Sequence, residues 1–474
     1  MRIEKDSLGT VEVPDDALYG AQTARAIQNF PISGMRAHPA LIRAIGMVKR
    51  AAAEANGQLG TLTPERADAI VRAAQEVING DLTPHFVVDV FQAGAGVSFH
   101  MNANEVIANR ANQFIAESQG AQHNPDPADA LGKYEHVHPN DHVNFGQSTN
   151  DVFPTAMRLA TLLALEDLYP VLDSLSAAFS DKAREFHSIL KSGRTHMQDA
   201  VPIRLGQEFA AYAVAIRKSR AHIDRTAHSL RELGLGGSAV GTGINTHPGY
   251  RTLAIQRLAE IANLPSGQRL TPAEDMRWAM QSCAPMAEIS AALRNLALEV
   301  IRISNDLRLL SSGPNTGFNE IHLPALQPGS SIMPGKVNPV LPELAAMVAF
   351  QVIGNDTAVA LAVQAGQLEL NVMMPTMAYS VLQSITIMTN MLRELDHRCI
   401  RGIEVNRARC EFYAHSTVAL ATALNPYIGY ARAAEIAKES IATGRSIIDL
   451  VREKNLLTES QLTEILNPTR MTGE

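Results

Sequence analysis

The 474 residues, 46% of them hydrophobic and 19% charged, supply enough apolar side chain for a large core and exclude a chain disordered by composition. A net charge of −7, from 41 basic and 48 acidic residues spread without blocks, offers nothing that would attract nucleic acid or an anionic membrane surface. No uninterrupted apolar run approaches the roughly 20 residues of a membrane span, and the opening MRIEKDSLGTVEVP lacks the apolar centre of a secretory signal, so a cytoplasmic setting is expected.

Taken in chain order, Gly9 to Val13 alternates weakly and predicts a strand. The polar, proline-bearing stretch Gly120 to Pro139 predicts the end of an N-terminal domain. Long helices are predicted from Thr155 to Phe186, with a bend at Pro170, and from Pro202 to Leu233, with the proline in the first turn. Gly-rich Ala239 to Ile244 reads as a second, weaker strand signal. From Pro285 to Leu310, apolar residues recur at spacings of 4 and 3 (Ile289, Leu293, Leu296, Val300, Ile303, Leu307, Leu310) until Gly313-Pro314 stops the pattern. Further helices are predicted from Leu341 to Ala365, with a kink at the polar Gly354-Asn355-Asp356, and from Pro375 to Ile400. A boundary falls near Asp396 to Ile403, and shorter helices such as Ala431 to Ala442 and Ser446 to Lys454 follow.

Helices of this length cannot bury their apolar faces within one small monomer, so a bundle shared between subunits is expected. The fold class is mainly all-α in three domains: an N-terminal domain 1–140, a central helical bundle 141–396 and a small C-terminal helical domain 397–474. The cysteines Cys283, Cys399 and Cys410 are far apart, odd in number and outside any CxxC pair. Buried thiols are expected rather than disulfides, and neither a metal nor a cofactor is.

The densest chemistry lies in Gly329-Ser330-Ser331-Ile332-Met333-Pro334-Gly335-Lys336-Val337-Asn338-Pro339. Two hydroxyls, a cation and a carboxamide stand between glycines that allow close backbone approach and prolines that limit freedom. Such a loop suits a small carboxylate better than it suits packing. Four other polar segments carry glycine: Gly94 to Asn102, Gly146 to Asp151, Gly193 to Ala200 and Gly237 to Gly243. Taken singly, Ser148-Thr149-Asn150-Asp151 reads as a helix cap and His196 as a structural histidine. Their recurrence on one chain, each rich in donors for a carboxylate, favours a site.

These segments resemble, in order, the motifs of the aspartase/fumarase superfamily of lyases. The Gly329 run is similar to its GSSxMPxKxNP loop, Gly94 to Arg110 to its NMNxNEVxANRA segment, Gly146 to Asp151 to SQS[ST]ND, and Gly193 to Pro202 to GRTHxQDAxP. Thr149, Ala200-Val201-Pro202 and Ala365 to Met373 resemble the aspartate ammonia-lyases. Leu235-Gly236-Gly237 and Asn245-Thr246-His247-Pro248 resemble the class II fumarases more.

The resemblance implies a homotetramer, with sites built from three subunits, and a carbon–nitrogen lyase acting on a small dicarboxylate or amino-acid substrate. The implied reaction is reversible deamination of L-aspartate to fumarate and ammonia through an aci-carboxylate. It implies Ser330 as the base, activated by Lys336. Ser148, Thr149 and Ser331 would hold the carboxylate that gains charge; Lys336, Asn338 and Thr195 would hold the other. Asn150 and His196 would orient the amine, with Glu343 paired to His196. The chain departs from the pattern at Val97 (Thr expected), His100 (Asn), Gly146 (Ser), Asn315 (Arg) and Met374 (an acidic residue). Val97 removes a hydroxyl from the substrate pocket, so a lyase for a different or substituted amino acid is the alternative, with fumarate hydration a further one.

Overall fold

The computed structural model describes residues 1–120, 130–265 and 269–473. Much of the predicted Gly120 to Pro139 boundary therefore lies outside the described residues. Strands β1 (Arg2–Asp6) and β2 (Gly9–Val13) pair antiparallel, so the weak alternation at Gly9 is a strand. Helices α1 (Ala21–Asn29), α2 (Pro39–Gln58), α3 (Pro64–Asn79) and α4 (Val97–Gly120) follow. Proline opens α2 and α3 behind the caps His38 and Thr63, where its missing N–H costs nothing.

Helix α5 (Thr149–Glu185) runs 37 residues. A hairpin of β3 (Leu190–Thr195) and β4 (Gln198–Arg204) precedes α6 (Leu205–Ala227). Pro202 is thus not in a first helical turn. It stands in β4 opposite Ser192, tolerated because the sheet has two strands and no further ladder to lose. Strand β5 (Glu232–Leu233) pairs with β6 (Thr271–Pro272) across α7 (Tyr250–Ala262). Ala239 to Ile244 forms turns rather than a strand, with Gly241 and Gly243 at positive φ.

Helices α8 (Met276–Gln281) and α9 (Ala284–Leu310) are followed by β7 (Ile321–His322), α10 (Val340–Gln364) and α11 (Met374–Arg398). The heptad run is α9 within one residue. In α10 the expected kink is absent. The helix is continuous, and the polar residues Asn355 and Asp356 are buried against neighbours. Asn355 Nδ2 donates to Gln383 Oε1 (2.9 Å) and Ser384 Oγ (3.0 Å); Asp356 accepts from Ser290 Oγ (2.7 Å). Helix α10 is also long and apolar enough, by length and composition, to cross a membrane, although no single uninterrupted run signals it. The chain closes with β8 (Glu404–Val405), α12 (Arg407–Ser416), α13 (Asn425–Ile428), α14 (Tyr430–Thr443), α15 (Ile447–Glu453) and α16 (Glu459–Ile465). The fold is mainly helical, with short two-stranded sheets.

The chain divides into two compact units. The first comprises residues 1–169, 221–295 and 350–388; the second comprises 170–220, 296–349 and 389–474. The first unit packs Ile45 and Val48 of α2, Ile70 of α3 and Ile107 of α4 into its core. The second is centred on Phe179, Phe186, Phe209 and Tyr212, whose ring centroids lie 5.2–6.2 Å apart. Its C-terminal part has its own cluster, including Leu424, Ile436 and Leu450. Cys283, Cys399 and Cys410 are buried free thiols, and burial pushes them up to about 11, 12 and 12.

Candidate active site

In the first unit, the sequence-predicted residues sit at two helix N-termini. Val97 is the first residue of α4 and is 41% exposed. It follows Ala95 and Gly96, both at positive φ; a Cβ on Gly96 would lie 2.2 Å from the Phe153 ring, so only glycine fits. Ser148, Thr149 and Asn150 are half-buried where α5 begins. Asp151 reaches back to accept from the Ser148 N–H (2.8 Å), while Ser148 Oγ accepts from the Asn150 N–H (3.3 Å). The cap reading is therefore correct, and it does not compete with the site. The cap leaves the Ser148 O–H as a donor.

Asp151 is wholly buried and ties this turn to a second one. Its other oxygen accepts from the N–H groups of Gly236 (2.9 Å) and Ser238 (3.1 Å). Burial pushes its carboxyl up to about 6, opposed by these three backbone donors and by the Lys49 ammonium. Asn150 Nδ2 donates to the Ala239 carbonyl (2.8 Å), which leaves its Oδ1 free to accept from an ammonium group. Gly146 has φ +68, a conformation that disfavours the Ser expected there.

Two further buried groups back this turn. Lys49 Nζ donates to Asn144 Oδ1 (3.0 Å) and Gln147 Oε1 (2.8 Å); burial drives it well below the usual lysine range. His100 lies 2.7 Å from Thr149 Oγ1 through Nδ1. Burial, with Lys49 close by, keeps its ring neutral. Sequence reasoning missed Lys49, because one lysine in an alanine-rich helix reads as a surface residue.

In the second unit, the Gly329 loop is closed at its base. The Gly329 N–H donates to the Lys336 carbonyl (2.8 Å), and Asn338 Nδ2 donates to the Gly329 carbonyl (2.8 Å). A Cβ on Gly329 would meet the Lys336 carbonyl at 2.6 Å. Ser330 Oγ accepts from the backbone N–H groups of Ile332 (3.3 Å) and Met333 (3.0 Å). Ser331 and Lys336 are exposed, and no hydrogen bond or ion pair to another described residue engages the Lys336 ammonium. Glu343 lies in the first turn of α10.

Thr195 and His196 are exposed at the tip of the β3–β4 hairpin. His196 and Met197 both have positive φ (52° and 62°), a conformation held by the hairpin. No hydrogen bond or ion pair joins His196 to Glu343 within the chain. Below the tip, fully buried Glu320 pairs with Lys191 (3.1 Å) and Arg194 (2.9 Å), and the Arg194 guanidinium lies 4.2 Å from the Phe318 ring centroid. The sequence gives no local signal for Glu320, whose partners are more than a hundred residues away. Among the described residues, no group of three or more His, Cys, Asp or Glu side chains could hold a metal ion.

Known proteins match this chain along its length. A family model described as Lyase matches residues 9–354, and one described as Fumarase C C-terminus matches residues 420–473. An aspartate ammonia-lyase of Pseudomonas aeruginosa is 50% identical, covering 99% of this chain and 96% of the relative. One from a Bacillus species is 47% identical, covering 100% and 97%. The crystal structure of a fumarate lyase:delta crystallin from Brucella melitensis, bound to cobalt, superposes with a TM-score of 0.92 at 47% identity, covering 99% of each chain. A class II fumarase from Schistosoma mansoni gives 0.93 at 35% identity, covering 99% and 98%.

Proposed function

The chain belongs to the aspartase/fumarase superfamily of lyases, and from that premise we infer that it deaminates L-aspartate reversibly to fumarate and ammonia. The observation that carries the substrate is full-length similarity to aspartate ammonia-lyases at 43–50% identity. Nothing favours the fumarase or substituted-amine alternatives above it.

The chemistry removes a C3 proton beside the side-chain carboxylate and expels ammonia from C2. Loss of that proton places two negative charges on one carboxylate, and the site must bind this form more tightly than the ground state. The Ser148 hydroxyl, free to donate, and the Thr149 and Ser331 hydroxyls are assigned to that group. Lys336, Asn338 and Thr195 take the other carboxylate. Asn150, with Oδ1 available, and His196 orient the amine. Ser330 takes the proton. The two N–H groups already directed at its oxygen would also stabilise the alkoxide, which makes a hydroxyl a usable base. Glu343 supports His196.

The test is fumarate absorbance with purified protein. L-aspartate gives fumarate faster than L-malate does; faster malate turnover overturns the reading. In the same assay Val97→Thr improves kcat/KM for aspartate by roughly 10-fold, the low end for one hydrogen bond to a charged group. No gain would show that the missing hydroxyl is silent.

We also infer a homotetramer. Large apolar side chains stand exposed on the long helices, including Leu298 of α9 and Met347, Phe350 and Leu361 of α10, which supports burial of these helices against other subunits. Sedimentation at micromolar concentration should give a four-chain species. An active monomer would contradict it.

A further inference from the structure

His100 is an enclosed polar group beside the substrate-binding turn, and nothing in the reaction uses it directly. It is 1% exposed and stands in α4, with Nδ1 2.7 Å from Thr149 Oγ1. Its Nε2 is shut away from solvent, near the Asn144 carboxamide but without a well-formed hydrogen bond. The ring is neutral, so it carries a single N–H, and where that proton sits decides what Thr149 can do.

With the proton on Nε2, Nδ1 is a lone pair. The Thr149 hydroxyl must then donate inward and present only lone pairs to a substrate carboxylate. With the proton on Nδ1, the ring donates to Thr149 Oγ1, and the hydroxyl's own proton is free to point outward. Nε2 is buried without a hydrogen-bond partner, so a proton placed there would be an unsatisfied buried donor.

We propose that His100 is a positioning residue that fixes the direction of the Thr149 hydroxyl, donating from Nδ1 so that Thr149 donates to the bound carboxylate. The inference rests on the proposed deamination for the identity of that carboxylate. It assigns His100 a selective role as well. A turn locked in this direction accepts a carboxylate and disfavours an amide N–H or an ammonium group at the same place. It also gives the departure at position 100 a function. Asparagine can offer a donor at the Nδ1 position, so His100 retains that donor and adds ring bulk that limits its movement.

A double-mutant cycle decides it. His100→Leu should lower kcat/KM for aspartate by roughly 10-fold or more, the consequence of losing one hydrogen bond to a charged group, with the loss seen in kcat as well as KM. His100→Asn should stay close to the wild type. Thr149→Val removes the hydroxyl, and in that background His100→Leu should cost nothing further. His100→Gln, whose amide falls at the Nε2 position, serves as a second variant if the leucine protein does not fold, and it should behave as the leucine variant does. The cycle is read twice, as kcat/KM for aspartate and as Kd for fumarate by calorimetry. If the wild type binds fumarate but does not turn over aspartate, the deamination reading fails and the Kd cycle still decides this inference. Equal losses with and without the Thr149 hydroxyl, or an asparagine variant as damaged as leucine, would overturn it.

Discussion

Replacing Ser330 by alanine lowers kcat for aspartate by at least about 10²-fold, the lower end of what a positioned base contributes. Binding of fumarate, measured by calorimetry, persists. The separation follows from the loop. Its closure depends on the Gly329 and Asn338 backbone and side-chain bonds, which the serine oxygen does not make. Two N–H groups aimed at that oxygen are left facing a methyl group, a small cost in an exposed loop where water can replace them. An unchanged kcat would move the base to another residue.

Lys336→Ala should behave differently. Its ammonium is exposed and unengaged by any other described residue, so it is free to meet an incoming carboxylate without breaking a pair to one of them. Removing it takes away a charged partner in the ground state and in the transition state alike. KM rises and kcat/KM falls by roughly 10²-fold, consistent with loss of a charge-assisted hydrogen bond and its Coulomb term. An alanine variant with unchanged KM would show that the lysine faces away from substrate. The two variants together separate a group that reacts from a group that binds.

The long helices were legible because their signal is local and repeated. Seven apolar positions define α9, and each reinforces the rest. The β3–β4 hairpin was not legible, because Pro202 is a helix-starting residue by local preference and only pairing with Ser192 shows otherwise. The loop residues Ser330, Lys336 and Asn338 stood out because hydroxyl, cation and carboxamide are rare together between glycines. Their supports did not. Glu320, Lys49 and the Asp151 link to Gly236 and Ser238 act across long sequence separations, and no period or spacing encodes such contacts. Asn355 and Asp356 were visible as an anomaly in α10 but were misread as a kink, since a polar break looks the same whether its partners are water or other helices.

That polar pair has a consequence for how the helices find their alignment. Alanine, valine and leucine dominate α10, and such a surface fits its neighbours almost equally well after sliding one turn, about 5.4 Å along the axis. Asn355 and Asp356 remove the degeneracy. In the observed alignment they meet Gln383, Ser384 and Ser290. A slide of one turn breaks these bonds, at roughly 1–3 kcal/mol for each group left without a partner. Two side chains therefore act as a detent on an otherwise smooth rod, so that its neighbours lock at a single position along its length.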